Sequence, residues 1–129
     1  MKLSTREWVE KAEADLATAR RELRARRQPN YDAACFHAQQ CVEKYLKARL
    51  VEAGIRFSKI HDLEHLLNAV LPVELLWESF RAKLGELTSF AVSFRYPGES
   101  ATRGLARTAV ADCQAIRGAI RISLGLSET

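Results

Sequence analysis

Hydrophobic residues recur at alternating spacings of three and four along most of the chain, a pattern typical of helices with one buried face. The first such run is predicted to begin at a capping box formed by Ser4 and Glu7 and to end before Pro29. Its apolar positions are Val9, Ala12, Leu16, Ala19 and Leu23.

A second helix is predicted between Asn30, a suitable cap, and Gly54, which favours the left-handed turn after a helix. One broad arc of this helix is apolar, and the opposite arc carries polar side chains together with one large apolar residue, Phe36. Glu43 precedes Lys47 by four residues, which predicts an ordinary surface ion pair. The polar residues of the opposite arc are Gln39, Gln40, Glu43, Lys44 and Lys47.

Three further helices are predicted: one from Asp62 to Pro72, one from Leu76 to Phe94, and one that begins at a Ser100 cap. The end of the fourth helix also alternates like a strand, but no second strand candidate exists to pair with it. We therefore expect an all-α fold, an antiparallel up-and-down bundle of four to five helices, with residues 1–129 forming a single domain.

Composition and charge limit the possible functions only weakly. The chain has 129 residues, of which 47% are hydrophobic, and 20 basic against 16 acidic residues give a formal net charge of +4. A mild preference for polyanions follows. The N-terminus lacks a signal sequence and no stretch approaches the roughly 20 apolar residues of a membrane span, so we expect a cytoplasmic protein without a membrane partner.

The three cysteines, Cys35, Cys41 and Cys113, lie on apolar stripes and lack C-x-x-C spacing. An odd number with this placement argues against a disulfide framework and against a zinc ribbon. They are expected to be small buried hydrophobes.

Histidine spacing offers two candidate metal pairs, because His61 and His65 lie four residues apart, as do His37 and Cys41. The spacing fixes no carboxylate as a further ligand. Glycine-rich phosphate loops, G-x-S-x-G elbows and H-E-x-x-H motifs are also missing from the sequence. We therefore predict neither a metal site nor a cofactor.

Arg56 and His61 form an R-x-x-x-x-H motif, which could cleave RNA. The histidine would transfer protons at the ribose hydroxyl or the leaving oxygen, and the arginine would stabilise charge on the phosphorane. The motif is common by chance, however, and a loop arginine beside a helix-capping histidine is the simpler interpretation.

A cluster of arginines ends the first helix. Such a cluster could bind an anion, but cations at the negative end of a helix dipole are also expected on grounds of stability alone, and this is the interpretation that we favour. Its members are Arg20, Arg21, Arg24, Arg26 and Arg27.

The segment YDAACFHAQQCVEKYLKARLVEAG, with HDLEHLL and FRYPGE, resembles the HEPN domain, the higher eukaryote and prokaryote nucleotide-binding family. The resemblance extends over nearly the whole chain, from WVEKAEADL to the last helix. The residues that carry it most strongly are Gln40, Glu43, Lys44, Lys47 and Ala48, then His61, Asp62 and Leu63, then Arg95, Tyr96 and Pro97.

This resemblance implies a helical bundle that usually dimerises and is often encoded beside a minimal nucleotidyltransferase, with which it forms a toxin–antitoxin or accessory pair. Some members bind nucleotides; others are metal-independent ribonucleases with an R-x(4 to 6)-H motif near the start of a late helix. Here no histidine follows His65, and Arg56 and His61 lie earlier than that motif.

Three hypotheses follow: a non-catalytic module that binds a nucleotide or RNA ligand or a nucleotidyltransferase, a ribonuclease toxin, and a bundle that serves only dimeric assembly. We favour the first. Its ligand-binding residues are predicted to be Arg95 as phosphate clamp and Tyr96 as stacking ring, with Lys44 and Lys47 as supporting cations.

Overall fold

The computed structural model of the chain describes residues 1–59 and 61–129. Ile60, which falls between the predicted second and third helices, lies outside the described residues. The fold is an all-helical bundle, as predicted. A short 3₁₀ helix, Leu75–Phe80, precedes the fourth α-helix. The five α-helices are α1 (Leu3–Arg24), α2 (Tyr31–Ala53), α3 (Leu63–Val70), α4 (Arg81–Ser93) and α5 (Arg103–Ser123).

Helix α2 is the centre of the bundle, because it packs against each of the other four α-helices. It runs antiparallel to α1, as the contacts of Glu52 with Thr5 and of Lys44 with Asp15 show. Its pairing with α5 is parallel, since Asp32 near the start of α2 contacts Ala101 just before α5, and Arg49 near the end of α2 contacts Ser123 at the end of α5. A helix covered on so many sides must bury residues around most of its circumference.

The interior is built from the predicted apolar stripes. Leu16, Leu46 and Ile116 are among the fully buried side chains, and the whole set forms one continuous core. All three cysteines are buried, as predicted. Burial raises the pKa of Cys35 to about 11, and a hydrogen bond with Cys113 together with burial raises that of Cys41.

A charged cluster joins α1, α2 and α5 within the bundle. Arg117 donates to both carboxylate oxygens of Glu13, at 2.7 and 2.8 Å, and the Tyr45 hydroxyl donates to the same carboxylate at 2.6 Å. The hydrogen bond from Arg117 lowers the pKa of Glu13, although partial burial opposes it. Burial raises the pKa of Tyr45. The paired groups fix the three helices relative to one another.

Several helix ends confirm the sequence predictions. The Asn30 side chain accepts from the Ala33 amide at 2.9 Å, and Asp62 accepts from the Glu64 amide at 3.0 Å. Gly54 has φ +72° and donates its amide to α2 carbonyls, so it closes that helix in the left-handed conformation.

Two predicted caps are wrong. Helix α1 begins at Leu3, so Ser4 and Glu7 lie within it, because the Lys2 amide and the Thr5 hydroxyl both donate to Glu52 on α2 and extend the helix. Helix α5 begins after Thr102, whose hydroxyl accepts from the Leu105 amide at 3.1 Å, instead of after Ser100.

The fourth predicted helix divides into the 3₁₀ helix and α4. The predicted helix at Phe90 and Val92 is confirmed, whereas Tyr96 lies in the turn beyond its end. Among residues 1–59 and 61–129, none of the helices has both the length and the apolar character that a bilayer crossing requires.

Candidate functional site

Glu43 and Lys47 form an ion pair inside the bundle, with Lys47 Nζ 3.0 Å from Glu43 Oε2. Glu43 is 2% exposed and Lys47 6%, so the prediction of an ordinary surface pair is wrong. The reason is that other segments cover this face of α2. The ammonium group lies 5.4 Å from the centroid of the Trp8 ring on α1 and 5.8 Å from that of Phe57, which adds cation–π attraction.

His61 is held by the same carboxylate. Its Nδ1 lies 3.1 Å from both carboxylate oxygens of Glu43. Gln39 Nε2 donates to Glu43 Oε1 at 3.3 Å and to the His61 carbonyl at 3.1 Å. Because an ionised carboxylate only accepts hydrogen bonds, Nδ1 carries a proton in this contact. The ring is 76% exposed, so Nε2 is accessible from outside the bundle.

A groove of about 430 Å³ lies between α2 and α4, in front of this histidine. Arg95 stands at one end, with its guanidinium carbon 6.0 Å from the centroid of the Phe36 ring. We call this the α2–α4 groove. Its lining residues are Phe36, Gln39, Gln40, His61, Asp62, Thr88, Ala91, Val92 and Arg95.

The α2–α4 groove continues into a second depression of about 370 Å³. Phe36, Ala91 and Arg95 line both, so the ring of Phe36 and the guanidinium of Arg95 mark the boundary between them. Asp32 lines only the second depression, and its Oδ1 accepts a hydrogen bond from the Ala101 amide at 2.6 Å. The combined surface offers a ligand one arginine, one histidine, three phenylalanine rings, amide and hydroxyl groups, and the carboxylates of Asp32 and Asp62.

The structure brings two of the predicted site residues together, since Arg95 and His61 both line the α2–α4 groove. Tyr96 is 65% exposed and lies outside the lining. Arg56, exposed in the loop after α2, is also outside the lining, so the R-x-x-x-x-H spacing does not place both of its residues in this groove.

The two lysines are engaged elsewhere. Lys44 Nζ lies 2.5 Å from Asp15 Oδ2, and His37 Nδ1 contacts the other oxygen of that carboxylate at 2.7 Å. Lys44 lines a separate depression beside Trp8. With Lys47 buried, neither lysine contributes a cation to the α2–α4 groove.

One groove residue stands out in the sequence pattern although that pattern assigns it no function. Phe36 is the single large apolar residue on the polar arc of α2, and it lies in the groove wall. Thr88 was missed entirely; its hydroxyl accepts from the Leu63 amide at 3.3 Å, and nothing in its local sequence pattern indicates that contact.

Among the described residues, no group of three or more histidine, cysteine, aspartate or glutamate side chains is placed so that it could hold a metal ion. His37 and His61 each contact a single carboxylate, and Cys41 is buried in the core.

A comparison with protein-family models shows that residues 5–123 match the HEPN domain. The chain belongs to the HEPN domain family. The match extends from α1 to the end of α5 and therefore includes every residue of the α2–α4 groove. Comparisons with curated proteins and with solved structures found no significant match.

Family membership gives the α2 polar residues a structural interpretation. In this HEPN domain Glu43 and Lys47 belong to the strongest part of the resemblance, and both are buried polar groups that satisfy one another. Their side chains hold His61 and the aromatic pair of Trp8 and Phe57 around α2.

The substitution Lys47→Met tests the buried pair. Removing the ammonium leaves the Glu43 carboxylate buried without its cation, so we expect the free energy of unfolding at pH 7 to fall by about 3 kcal/mol. The double variant Glu43→Gln/Lys47→Met should lose less than the single variant, because it buries no charge. Urea denaturation measures both.

Arg81→Met is the matched control, since Arg81 pairs with the carboxylates of Glu64 and Glu78 at the surface. It should cost much less than Lys47→Met, because surface ion pairs stabilise a protein only weakly. A loss for Lys47→Met no larger than for this control would contradict the assignment of a stabilising buried pair.

Proposed function

We propose that this HEPN domain is a non-catalytic module that binds a nucleotide in the α2–α4 groove. The placement of the Arg95 guanidinium beside the Phe36 ring, at the boundary of the two depressions, is the observation that supports this function most directly. Guanidinium groups bind phosphate through paired hydrogen bonds, and aromatic faces bind nucleobases by stacking.

The remaining groups of the groove suit a small polar ligand of this kind. Gln40 and Thr88 carry hydrogen-bonding side chains, and Ala91 and Val92 supply an apolar wall for a ribose or a base. Tyr96 follows Arg95 directly and is largely exposed, so in this proposal its ring stacks on a base that projects from the groove.

Lys44 and Lys47 support the ligand only indirectly in this proposal. Lys47 neutralises Glu43, and Glu43 in turn holds His61 at the groove. Lys44 pairs with Asp15 and joins α2 to α1. The cation that faces a bound phosphate directly is then Arg95, with His61 beside it in the lining.

A metal-independent ribonuclease is the second candidate, and the contact between His61 and Glu43 favours it. In the neutral ring with its proton on Nδ1, toward the carboxylate, Nε2 is a proton acceptor at an exposed position beside the groove. The ring could then accept the proton of a ribose 2′-hydroxyl as that oxygen attacks phosphorus, while the bond from phosphorus to the 5′-oxygen breaks and that oxygen takes a proton from water. The product is a 2′,3′-cyclic phosphate, and Arg95 or Arg56 would stabilise the charge on the phosphorane.

Assembly is a further part of the proposal. HEPN domains often form dimers, and three exposed apolar residues within positions 73–76 support a homodimer here. Val73 is 45% exposed, Leu75 76% and Leu76 88%. Exposed apolar residues at this density are typical of interaction surfaces. We also propose a minimal nucleotidyltransferase as partner, in a toxin–antitoxin or accessory pair.

Isothermal titration of the purified chain with ATP, AMP and adenosine tests nucleotide binding. We expect both phosphorylated ligands to bind more tightly than adenosine, because Arg95 contacts phosphate. Arg95→Ala should weaken ATP binding at least about tenfold, which corresponds to the loss of about 1.4 kcal/mol. Arg6→Ala is the matched control, since Arg6 is exposed on α1 outside the groove. Equal affinities of the two variants would contradict the proposal.

Incubation with single-stranded RNA and a chelator separates the two candidate functions. We expect the RNA to stay intact, since the proposed module is not catalytic. Cleavage that His61→Ala abolishes, and that His65→Ala preserves, would establish the ribonuclease instead. His65 is a suitable control because it is exposed, lies one helical turn further along and does not line the groove.

Sedimentation velocity at micromolar concentration measures the assembly. We expect a species of two-chain mass, and a one-chain mass for Leu75→Ser/Leu76→Ser, because these substitutions remove the exposed apolar surface. Ile122→Ser, at a residue that is 58% exposed on α5, is the control and should leave the dimer intact. A one-chain mass for the unmodified protein, with no nucleotidyltransferase copurifying from its native cells, would exclude this part of the proposal.

A further inference from the structure

A second groove lies between the C-terminal half of α1 and the N-terminal half of α5, with a volume of about 280 Å³. Three arginines from the two helices converge on it, and we call it the α1–α5 arginine groove. It shares no lining residue with the α2–α4 groove. Its lining residues are Arg20, Leu23, Arg24, Arg107, Val110, Ala111 and Gln114.

Neutral groups orient two of these guanidiniums. Arg20 Nε donates to the Gln114 side chain at 2.9 Å, across the two helices, and Arg24 Nε donates to the Arg20 carbonyl at 3.3 Å. Within the part of the chain that the structure describes, none of the three lining arginines pairs with a carboxylate. Their charge is therefore available to an external anion.

The two chain segments that supply the arginines of this groove are strongly basic. Residues 20–27 and 103–107 together contain seven arginines, one glutamate and no lysine, a formal charge of +6, and three of these arginines line the groove. Outside these two segments the chain has 13 basic and 15 acidic residues, a balance of −2. The mild net charge of +4 thus conceals two strongly basic segments in a chain that is otherwise slightly acidic.

Helix stability explains only part of this charge. Arginines at the end of α1 are favourable, because they lie at the negative end of the helix dipole. Arg103 lies in the first turn of α5, at the positive end of its dipole, where cations are unfavourable, and Arg107 lies in the second turn, where the dipole does not stabilise a cation. The sequence interpretation of a dipole-matched helix end therefore does not account for the α5 side of the groove.

We propose that the α1–α5 arginine groove binds the phosphate backbone of single-stranded RNA, as a site separate from the α2–α4 groove. Guanidinium groups form paired hydrogen bonds with phosphate. Three arginines on one groove complement a backbone that carries a negative charge at every nucleotide, whereas a peptide carboxylate is an isolated charge. The lining contains no aromatic ring on which a base could stack. Binding is accordingly independent of base sequence and strongly dependent on salt.

Fluorescence anisotropy with a labelled oligouridylate, over a series of salt concentrations, tests this site. Arg24→Gln/Arg107→Gln should weaken binding at low salt at least about tenfold. It should also reduce the slope of log affinity against log salt by about 0.7 for each lost phosphate contact. Arg6→Gln/Lys11→Gln removes the same charge from exposed positions of α1 outside the groove and should retain most of the affinity. Circular dichroism confirms folding of each variant.

Three results would overturn the inference: no binding of RNA by the unmodified protein at low salt, equal losses in the two double variants, or displacement of RNA by polyglutamate as effective as by unlabelled RNA. The triple variant Arg24→Gln/Arg95→Ala/Arg107→Gln distinguishes the two grooves. In the Arg95→Ala background the two glutamine substitutions should still weaken RNA binding at least about tenfold, because sites that share no lining residue contribute independently. A loss in Arg95→Ala that the two glutamine substitutions do not increase would assign the RNA to the α2–α4 groove and exclude this site.

Discussion

The carboxylate of Glu43 lies inside the bundle, and the arrangement of the surrounding segments depends on it. A buried charge without partners costs several kcal/mol, so Lys47 and His61 must both reach it. Lys47 reaches the carboxylate beside the rings of Trp8 and Phe57. His61 reaches it because the segment between α2 and α3 passes close to α2 before α3 begins. One carboxylate thereby sets the relative positions of α1, α2 and the start of α3.

This requirement also explains which features could be predicted from the sequence. The Asn30 and Asp62 caps and the Gly54 turn depend on residues within a few positions, and local patterns predict them well. The burial of Glu43 and Lys47 depends on how many helices surround α2, which periodicity within one helix does not reveal. The start of α1 was mispredicted for the same kind of reason, because Glu52, about 50 residues away, determines it.

The candidate site shows the same division between local and tertiary information. Resemblance to the HEPN family indicated Arg95 and His61, but they are 34 positions apart in the sequence, and only the packing of α4 on α2 places them in one groove. The sequence pattern shows Phe36 as an apolar residue on the polar arc of α2 but does not indicate that it lines a groove. Conversely, Lys44 and Lys47 have the residue type of a ligand site, yet Lys44 pairs with Asp15 of α1, and Lys47 pairs with Glu43 inside α2 and contacts the Trp8 ring.

The buried cysteines have a practical consequence for work on the α2–α4 groove. The thiolate is the species that reacts with maleimides and iodoacetamides, and the three thiols are enclosed in the core, with raised pKa values for Cys35 and Cys41. We therefore expect the native cysteines of the folded protein not to react with such reagents. A single cysteine introduced at the rim of the groove would carry a fluorophore or spin label selectively, with the native cysteines left in place.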